Sequence, residues 1–241
     1  MQIIEDGYGG NHDPYERRNG MHYNELSATA QERVRNRYIE SLDYEWWDCV
    51  YEDAKEDGKE LGFYIDKIYF SGFWSQGDGA SWQGQVDVSQ WLRTHTKDSI
   101  GITAWIELIN NNWADKHIKV STSSNHYSHS GTMSFSHWEI HFYLDERPDR
   151  LPIGGDSILK DLPIDMAMKL IMSDPNTPYK SEDDIAEAIT QSAREYADEI
   201  YNKLRKEYEW LCSDVVMLEH FENNDINFDE EGEVLCFGTI E

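Results

Sequence analysis

Cysteine and long apolar runs are both scarce in this sequence. Its 241 residues include three cysteines, Cys49, Cys212 and Cys236, which lie far apart and form no CxxC pair. An odd number of isolated cysteines argues against a disulfide framework and against a zinc cluster of thiolates. The N-terminal segment lacks the basic and apolar regions of a secretory signal, and no run of about 18 apolar residues occurs. We therefore expect a cytoplasmic protein that does not enter a membrane.

Basic residues are also few. The 47 acidic residues outnumber the 21 basic residues, so the formal net charge is -26. Such a charge repels the phosphate backbone, which excludes direct nucleic-acid binding in the absence of a separate basic patch. Residues 181–241 alone contain 18 acidic and 4 basic residues. This skew has two interpretations: a solvated helix face, or an acidic surface that imitates a nucleic acid and occupies a basic groove on another protein.

The rest of the composition suits a folded protein, since 39% of the residues are apolar and 13% are aromatic. Helical periodicity predicts helices over residues 28–40, from 46 to near Gly58 or Gly62, over 162–172 and over 182–212. Aromatic and β-branched runs predict strands over 63–70, buried on both faces, and over 82–88, 101–109, 117–122 and 133–144. We expect an α+β fold with a largely antiparallel sheet, flanked by an N-terminal helical hairpin and a long C-terminal amphipathic helix. Residues 1–22 are predicted to be a loose arm and residues 23–241 a single domain.

The stretch SGFWSQGDGASW, residues 71–82, follows the first predicted strand. Its glycines permit sharp turns and close backbone approach, its polar side chains supply donors and acceptors, and Trp74 and Trp82 offer flat aromatic surfaces. Two interpretations stay open. The stretch is either a structural hairpin loop, with Asp78 in an Asx turn and the tryptophans in the core, or a loop that contacts a ligand or partner. The candidate binding residues are Ser71, Trp74, Ser75, Gln76, Gly77, Asp78, Gly79 and Ser81.

A second pattern is the H-x-E-x-H run of His137, Glu139 and His141. On a strand over 133–144 these side chains share one face, and two imidazoles with a carboxylate suit a divalent metal such as Zn²⁺ or Mn²⁺. However, strand residues two apart are separated by about 6.5–7 Å, which is wide for a shared ion. We therefore expect no cofactor, and a divalent metal at these three residues is the alternative.

Several blocks of the sequence resemble a known group of proteins. They include IDKIYFSGFWSQGDGASWQG, HYSHSGTM and LRKEYEWLCSDVVMLEHFENNDINFDEEG. Together they are similar to the successive blocks of an uncharacterised family encoded by tailed bacteriophages and prophages, with SQGDGAS as the most specific part. The resemblance implies a phage accessory protein in the cytoplasm of an infected bacterium, and it carries over no catalytic residue.

These observations favour a non-enzymatic protein that binds and inhibits a host protein, for example a defence protein, through an acidic surface. A small nucleotide held near the glycine-rich loop is a second form of the same hypothesis. The alternative from another class is a metal-dependent hydrolase built on the His/Glu run. The sequence leaves the oligomeric state open.

Overall fold

The computed structural model describes residues 20–42, 45–112, 114–123, 127–140, 157–160 and 162–235. These residues form seven α-helices and one four-stranded antiparallel sheet, so the predicted α+β class is confirmed, as are the N-terminal helices and the long C-terminal helix. The helices are α1 (Ala28–Ser41), α2 (Asp48–Leu61), α3 (Val88–His95), α4 (Ile100–Asn110), α5 (Ile164–Ser173), α6 (Glu182–Leu211) and α7 (Asp214–Asn223). The strands are β1 (Phe63–Phe70), β2 (Ala80–Asp87), β3 (His117–Thr122) and β4 (Met133–Phe135).

The sheet has the order β1-β2-β3-β4, so each strand pairs with its neighbours in sequence. β1 and β2 form a hairpin whose register runs from Phe63 opposite Val86 to Phe70 opposite Ala80. Along β1 only Phe63, Ile65 and Ile68 are buried. The prediction that β1 is buried on both faces is therefore wrong, because helices cover only one side of this edge strand.

Helix α6 covers the sheet face that carries Trp82. The Trp82 indole N–H donates to the Ala193 carbonyl over 3.2 Å, and the Phe63 ring lies 5.3 Å from the Tyr196 ring. The Tyr196 hydroxyl in turn donates to the Ala54 carbonyl of α2 over 2.6 Å. The predicted docking of the long helix on the sheet is confirmed.

Two predictions of secondary structure were wrong. Residues 101–109, predicted as a strand, form α4, which Ser99 caps by accepting the Ile102 amide proton over 3.2 Å. Short apolar runs rich in isoleucine fit a buried helix as well as a strand, so periodicity does not separate the two. The strand predicted over 133–144 ends as β4 at Phe135, and residues 141–144 lie outside the described part of the chain.

The described residues fall into two compact units. The central unit is Trp46–Tyr208, and the terminal unit combines the described residues up to Glu45 with those from Glu209 onward. The core of the central unit includes Trp82, Trp91, Trp105 and Trp138, and that of the terminal unit contains Leu26, Ala30, Val34, Tyr38, Met217, Phe221 and Phe228. A single domain over residues 23–241 stays a prediction. None of the described helices is both long and apolar enough to cross a membrane.

Candidate binding loop

Residues 71–79 connect β1 to β2 as a wide hairpin loop. The Ser71 amide donates to the Gly79 carbonyl over 3.2 Å, which closes the base of the loop. Gly72 and Gly77 have φ values of 106° and 93°. Side chains with a Cβ are strained in this left-handed region, so both positions require glycine.

The Asp78 carboxylate holds the tip of the loop together. One oxygen, Oδ2, accepts the amide protons of Trp74 and Ser75 over 2.8 and 2.6 Å, and the Asp78 amide donates to the Ser75 carbonyl over 3.1 Å. The carboxylate thus fills the concave site that two successive amides would otherwise offer to a phosphate. Because the Asp78 carboxylate already occupies these two amides, the geometry argues against a nucleotide phosphate at this position.

A second segment of the chain, residues 127–132, packs against this loop. The Ser71 hydroxyl donates to the Ser128 carbonyl over 3.2 Å. A Cβ built on Gly79 would lie 2.5 Å from the Cβ of His129, and one built on Gly77 would lie 3.4 Å from the Tyr127 ring. The contact is therefore close enough that Gly79 has no room for a side chain.

The outer surface of the loop is aromatic and polar. Trp74 is 78% exposed and Tyr127 is 53% exposed, while Ser75, Gln76 and Gly77 are also exposed. We call these five residues the loop surface. Large exposed aromatic side chains on an ordered backbone are the residue type that most often anchors protein interfaces.

Aromatic side chains also support the loop from below. Phe73 lies 5.7 Å from the Phe70 ring, 5.6 Å from Tyr201 and 5.3 Å from Tyr208. Burial raises the pKa of Tyr201, and the nearby charge of Asp78 acts in the same direction. These contacts anchor the loop on α6 and leave Trp74 as its exposed aromatic side chain.

The structure divides the predicted site residues into two groups. Trp74, Ser75, Gln76 and Gly77 are exposed and adjacent, whereas Gly79 and Ser81 are buried. The buried hydroxyl of Ser81 has no hydrogen-bond partner among the described residues. Ser71 and Asp78 hold the loop in shape. Trp82 belongs to the core, as the interpretation of the stretch as a structural loop predicted, whereas Trp74 is exposed and does not.

Tyr127 is the member of the loop surface that sequence reasoning missed. It lies 50 positions after Gly77 in the chain, and only the fold brings the two together. Tyr127 belongs to the HYSHSGTM block, which is one of the blocks that carry the family resemblance. Nothing in the sequence of that block indicates that it contacts the 71–79 loop.

The predicted metal-binding residues are only partly described. The His137 Nε2 and Glu139 Oε1 atoms are 3.3 Å apart, and these side chains are 73% and 60% exposed. Both residues follow β4 rather than lying within a strand, and His141 lies outside the described residues. In the portion of the chain that the structure covers, no group of three or more His, Cys, Asp or Glu side chains could hold a metal ion. The three-residue site stays a prediction.

Helices α2 and α6 carry most of the exposed acidic residues of the central unit. They lie side by side, as the Tyr196 bond to α2 and the 2.6 Å ion pair between Lys203 and Asp57 show. We call their exposed acids in the central unit the acidic helical face; they are Asp48, Glu52, Asp53, Glu56, Asp57 and Glu60 on α2, and Asp183, Asp184, Glu187, Glu195, Asp198 and Glu199 on α6.

The central unit corresponds to a recognised sequence family. Residues 46–214, well over half of the chain, match the profile of the family described as Domain of unknown function (DUF8835). The chain belongs to this family. The DUF8835 match covers the whole central unit, including the loop surface, and leaves most of the terminal unit outside. No curated protein and no solved structure matches the chain.

Proposed function

We propose that this protein is a non-enzymatic binding protein that attaches to, and thereby inhibits, another protein. The observation that supports this most directly is the loop surface, in which Trp74 is 78% exposed and Tyr127, which lies next to Gly77, is 53% exposed. Trp74 and Tyr127 would enter a pocket on the partner and lose their contact with water. A few buried residues supply most of the binding free energy of a typical interface, and tryptophan and tyrosine are common among them.

The acidic helical face would supply the second part of the interaction. Its carboxylates give the central unit a strongly negative surface on two adjacent helices. Charge of one sign increases the rate of association with a partner of opposite sign and disfavours other partners. The partner that fits is therefore a protein with a basic surface next to a pocket for an aromatic side chain.

The setting of this proposal is the cytoplasm of a phage-infected bacterium, with a host defence protein as the target. It rests on the resemblance of the glycine-rich loop and the HYSHSGTM block to the tailed-phage family. In the structure these two blocks are in contact, through Ser71 and Ser128 and through Gly79 and His129. A contact between two of the blocks that carry the resemblance supports a shared role for them.

A comparison of three tagged proteins tests the proposal. Wild type, a Trp74→Ala/Tyr127→Ala variant and a Trp210→Ala variant are purified from bacterial lysate at moderate salt, and co-eluting proteins are quantified by mass spectrometry. Trp210 is the matched control because it is also an exposed tryptophan, at 56%, but lies outside the loop surface.

The expected result is one near-stoichiometric partner that co-elutes with wild type and with Trp210→Ala, and that falls at least about tenfold with the loop variant. A partner that all three proteins retain equally would contradict the role of the loop surface. A hydrolytic activity that depends on a bound metal and on His137 would contradict the whole proposal.

A further inference from the structure

The terminal unit contains a groove that the DUF8835 match does not include. It has a volume of about 460 Å³ and lies between the short 3₁₀ turn Tyr23–Glu25 and helix α7 with the residues that follow it. Pockets that hold small molecules or peptide side chains have volumes of about 300–1,000 Å³. The groove is therefore large enough for more than one side chain.

Apolar residues form the floor of this groove. Leu218, Phe221 and Ile226 line it, and the Tyr23 ring lies 5.8 Å from the Phe221 ring. The Ile226 amide donates to the Phe221 carbonyl over 2.9 Å, which fixes the turn after α7. The floor thus belongs to packed structure and not to loose side chains.

The rim of the groove is acidic. Glu25, Glu222 and Asp225 line it, and no lysine or arginine is among the described residues that do so. Glu25 accepts the His22 amide proton over 2.8 Å, whereas Glu222 and Asp225 are exposed. Among the described residues neither exposed carboxylate has an arginine partner, in contrast to Asp214, which pairs with Arg35, and Glu233, which pairs with Arg37.

We propose that this groove binds a short basic and apolar peptide segment of a partner protein. Its apolar side chain would pack on Phe221 and Ile226, and its lysine or arginine would pair with Glu222 and Asp225. Charge complementarity selects this occupant, because an apolar floor alone accepts any hydrophobic segment, whereas an acidic rim repels acidic ones. No residue of the loop surface is among the residues that line this groove, so the proposal does not depend on the function proposed above.

Fluorescence anisotropy with defined peptides tests the proposal. The probe is a fluorescein-labelled peptide Ser-Arg-Leu-Arg-Phe-Ser, and a second peptide replaces Leu and Phe with Ser. The groove variant is Glu222→Lys/Asp225→Lys. The matched control is Glu32→Lys/Glu40→Lys, which changes the net charge equally but on exposed residues of α1 that do not line the groove. Equal net charge removes general attraction between a basic peptide and an acidic protein as an explanation of any difference.

We expect the groove variant to bind the probe at least about tenfold more weakly than wild type, and the α1 variant to stay within about twofold of wild type. The peptide without apolar side chains should also bind wild type at least about tenfold more weakly. If the groove variant does not fold, Glu222→Gln/Asp225→Asn takes its place with the same expectation.

Three results would overturn the proposal. Equal losses in the groove and α1 variants would show that binding reflects only the net charge of the protein. Equal binding of the two peptides would remove the role of the apolar floor. A wild-type protein that dimerises in sedimentation and does not bind the probe would assign the groove to a second copy of the chain.

Discussion

Removal of the Asp78 carboxylate should release the tip of the binding loop without unfolding the protein. In an Asp78→Ala variant the amides of Trp74 and Ser75 lose the acceptor that lies 2.8 and 2.6 Å away. A hydrogen bond contributes about 0.5–1.5 kcal/mol net, and solvent competes for these exposed amides. We therefore expect the closed loop to lose about 1–2 kcal/mol relative to open forms.

Hydrogen exchange measures this effect at single amides. A change of about 1–2 kcal/mol increases the open population about 5- to 30-fold, so the Trp74 and Ser75 amides should exchange faster by that factor. The core amides around Trp82 should not change. If the loop must be closed to bind, affinity for the partner falls by a similar factor, because binding then has to order the loop.

Two variants make this prediction specific. Asp78→Asn keeps an acceptor oxygen and should show a smaller effect than Asp78→Ala. Asp66→Ala removes an exposed acid on β1 that makes no side-chain hydrogen bond to a described residue, and it should leave exchange in the loop unchanged. Unchanged exchange of the Trp74 and Ser75 amides in Asp78→Ala would refute the assigned role of the carboxylate.

Three further predictions concern the central unit. Gly101→Ala places a Cβ 2.1 Å from the Thr177 hydroxyl, so the urea midpoint should fall by the equivalent of about 1–3 kcal/mol; an unchanged midpoint would contradict the packing. The Gly101 amide donates to the Asp174 carboxylate and holds the pKa of that carboxyl well below its usual range. The stability that this interaction contributes is complete above the unfolded pKa of about 4 and is lost as pH falls, so Asp174→Asn should flatten the acid limb of a pH–stability curve. Tyr196→Phe removes the 2.6 Å bond to the Ala54 carbonyl and should cost about 1 kcal/mol in urea unfolding, whereas no loss would show that the bond contributes nothing net.

Local sequence signals predicted the elements whose neighbours in sequence decide their structure. Ser27 caps α1 by accepting the Ala30 amide proton, and the glycine after α2, Gly62, adopts the left-handed conformation that ends a helix. β1 and β3 have the predicted bounds for the same reason, since aromatic and β-branched residues make up most of β1 and every second position of β3.

The errors come from elements whose environment decides their structure. The buried residues of α4 recur at helical spacing, but Ile100 is exposed and Ile106 only half-buried although both are apolar, so they obscure the period, and the cap Ser99 was the clearest remaining signal. α3 follows β2 without a loop, and Asp87 ends the strand and caps the helix by accepting the Gln90 amide proton over 2.8 Å. Because Asp87 has both roles, no run of turn residues separates β2 from α3. The sequence therefore predicted a strand over 82–88 and no helix after it.

The sequence predicted the loop of the candidate site but not the contribution of Tyr127 to it. Glycine, serine and aspartate are residues that favour turns, and the 71–79 loop is rich in them. The Asx turn proposed for Asp78 is present in the structure. The contribution of Tyr127 depends on a contact between segments more than 45 residues apart. Contacts of this kind depend on the register of the whole sheet and leave no local pattern.

Photo-crosslinking from the loop surface tests the central claim most directly. A benzoylphenylalanine residue at position 74 keeps an aromatic side chain and forms a covalent bond with whatever lies against it in the living bacterial cell. The same residue at position 210, which is also exposed, is the control. The account predicts one discrete protein adduct from position 74 and none from position 210. No adduct from position 74, together with an adduct from position 210, would place the interface elsewhere and contradict the account.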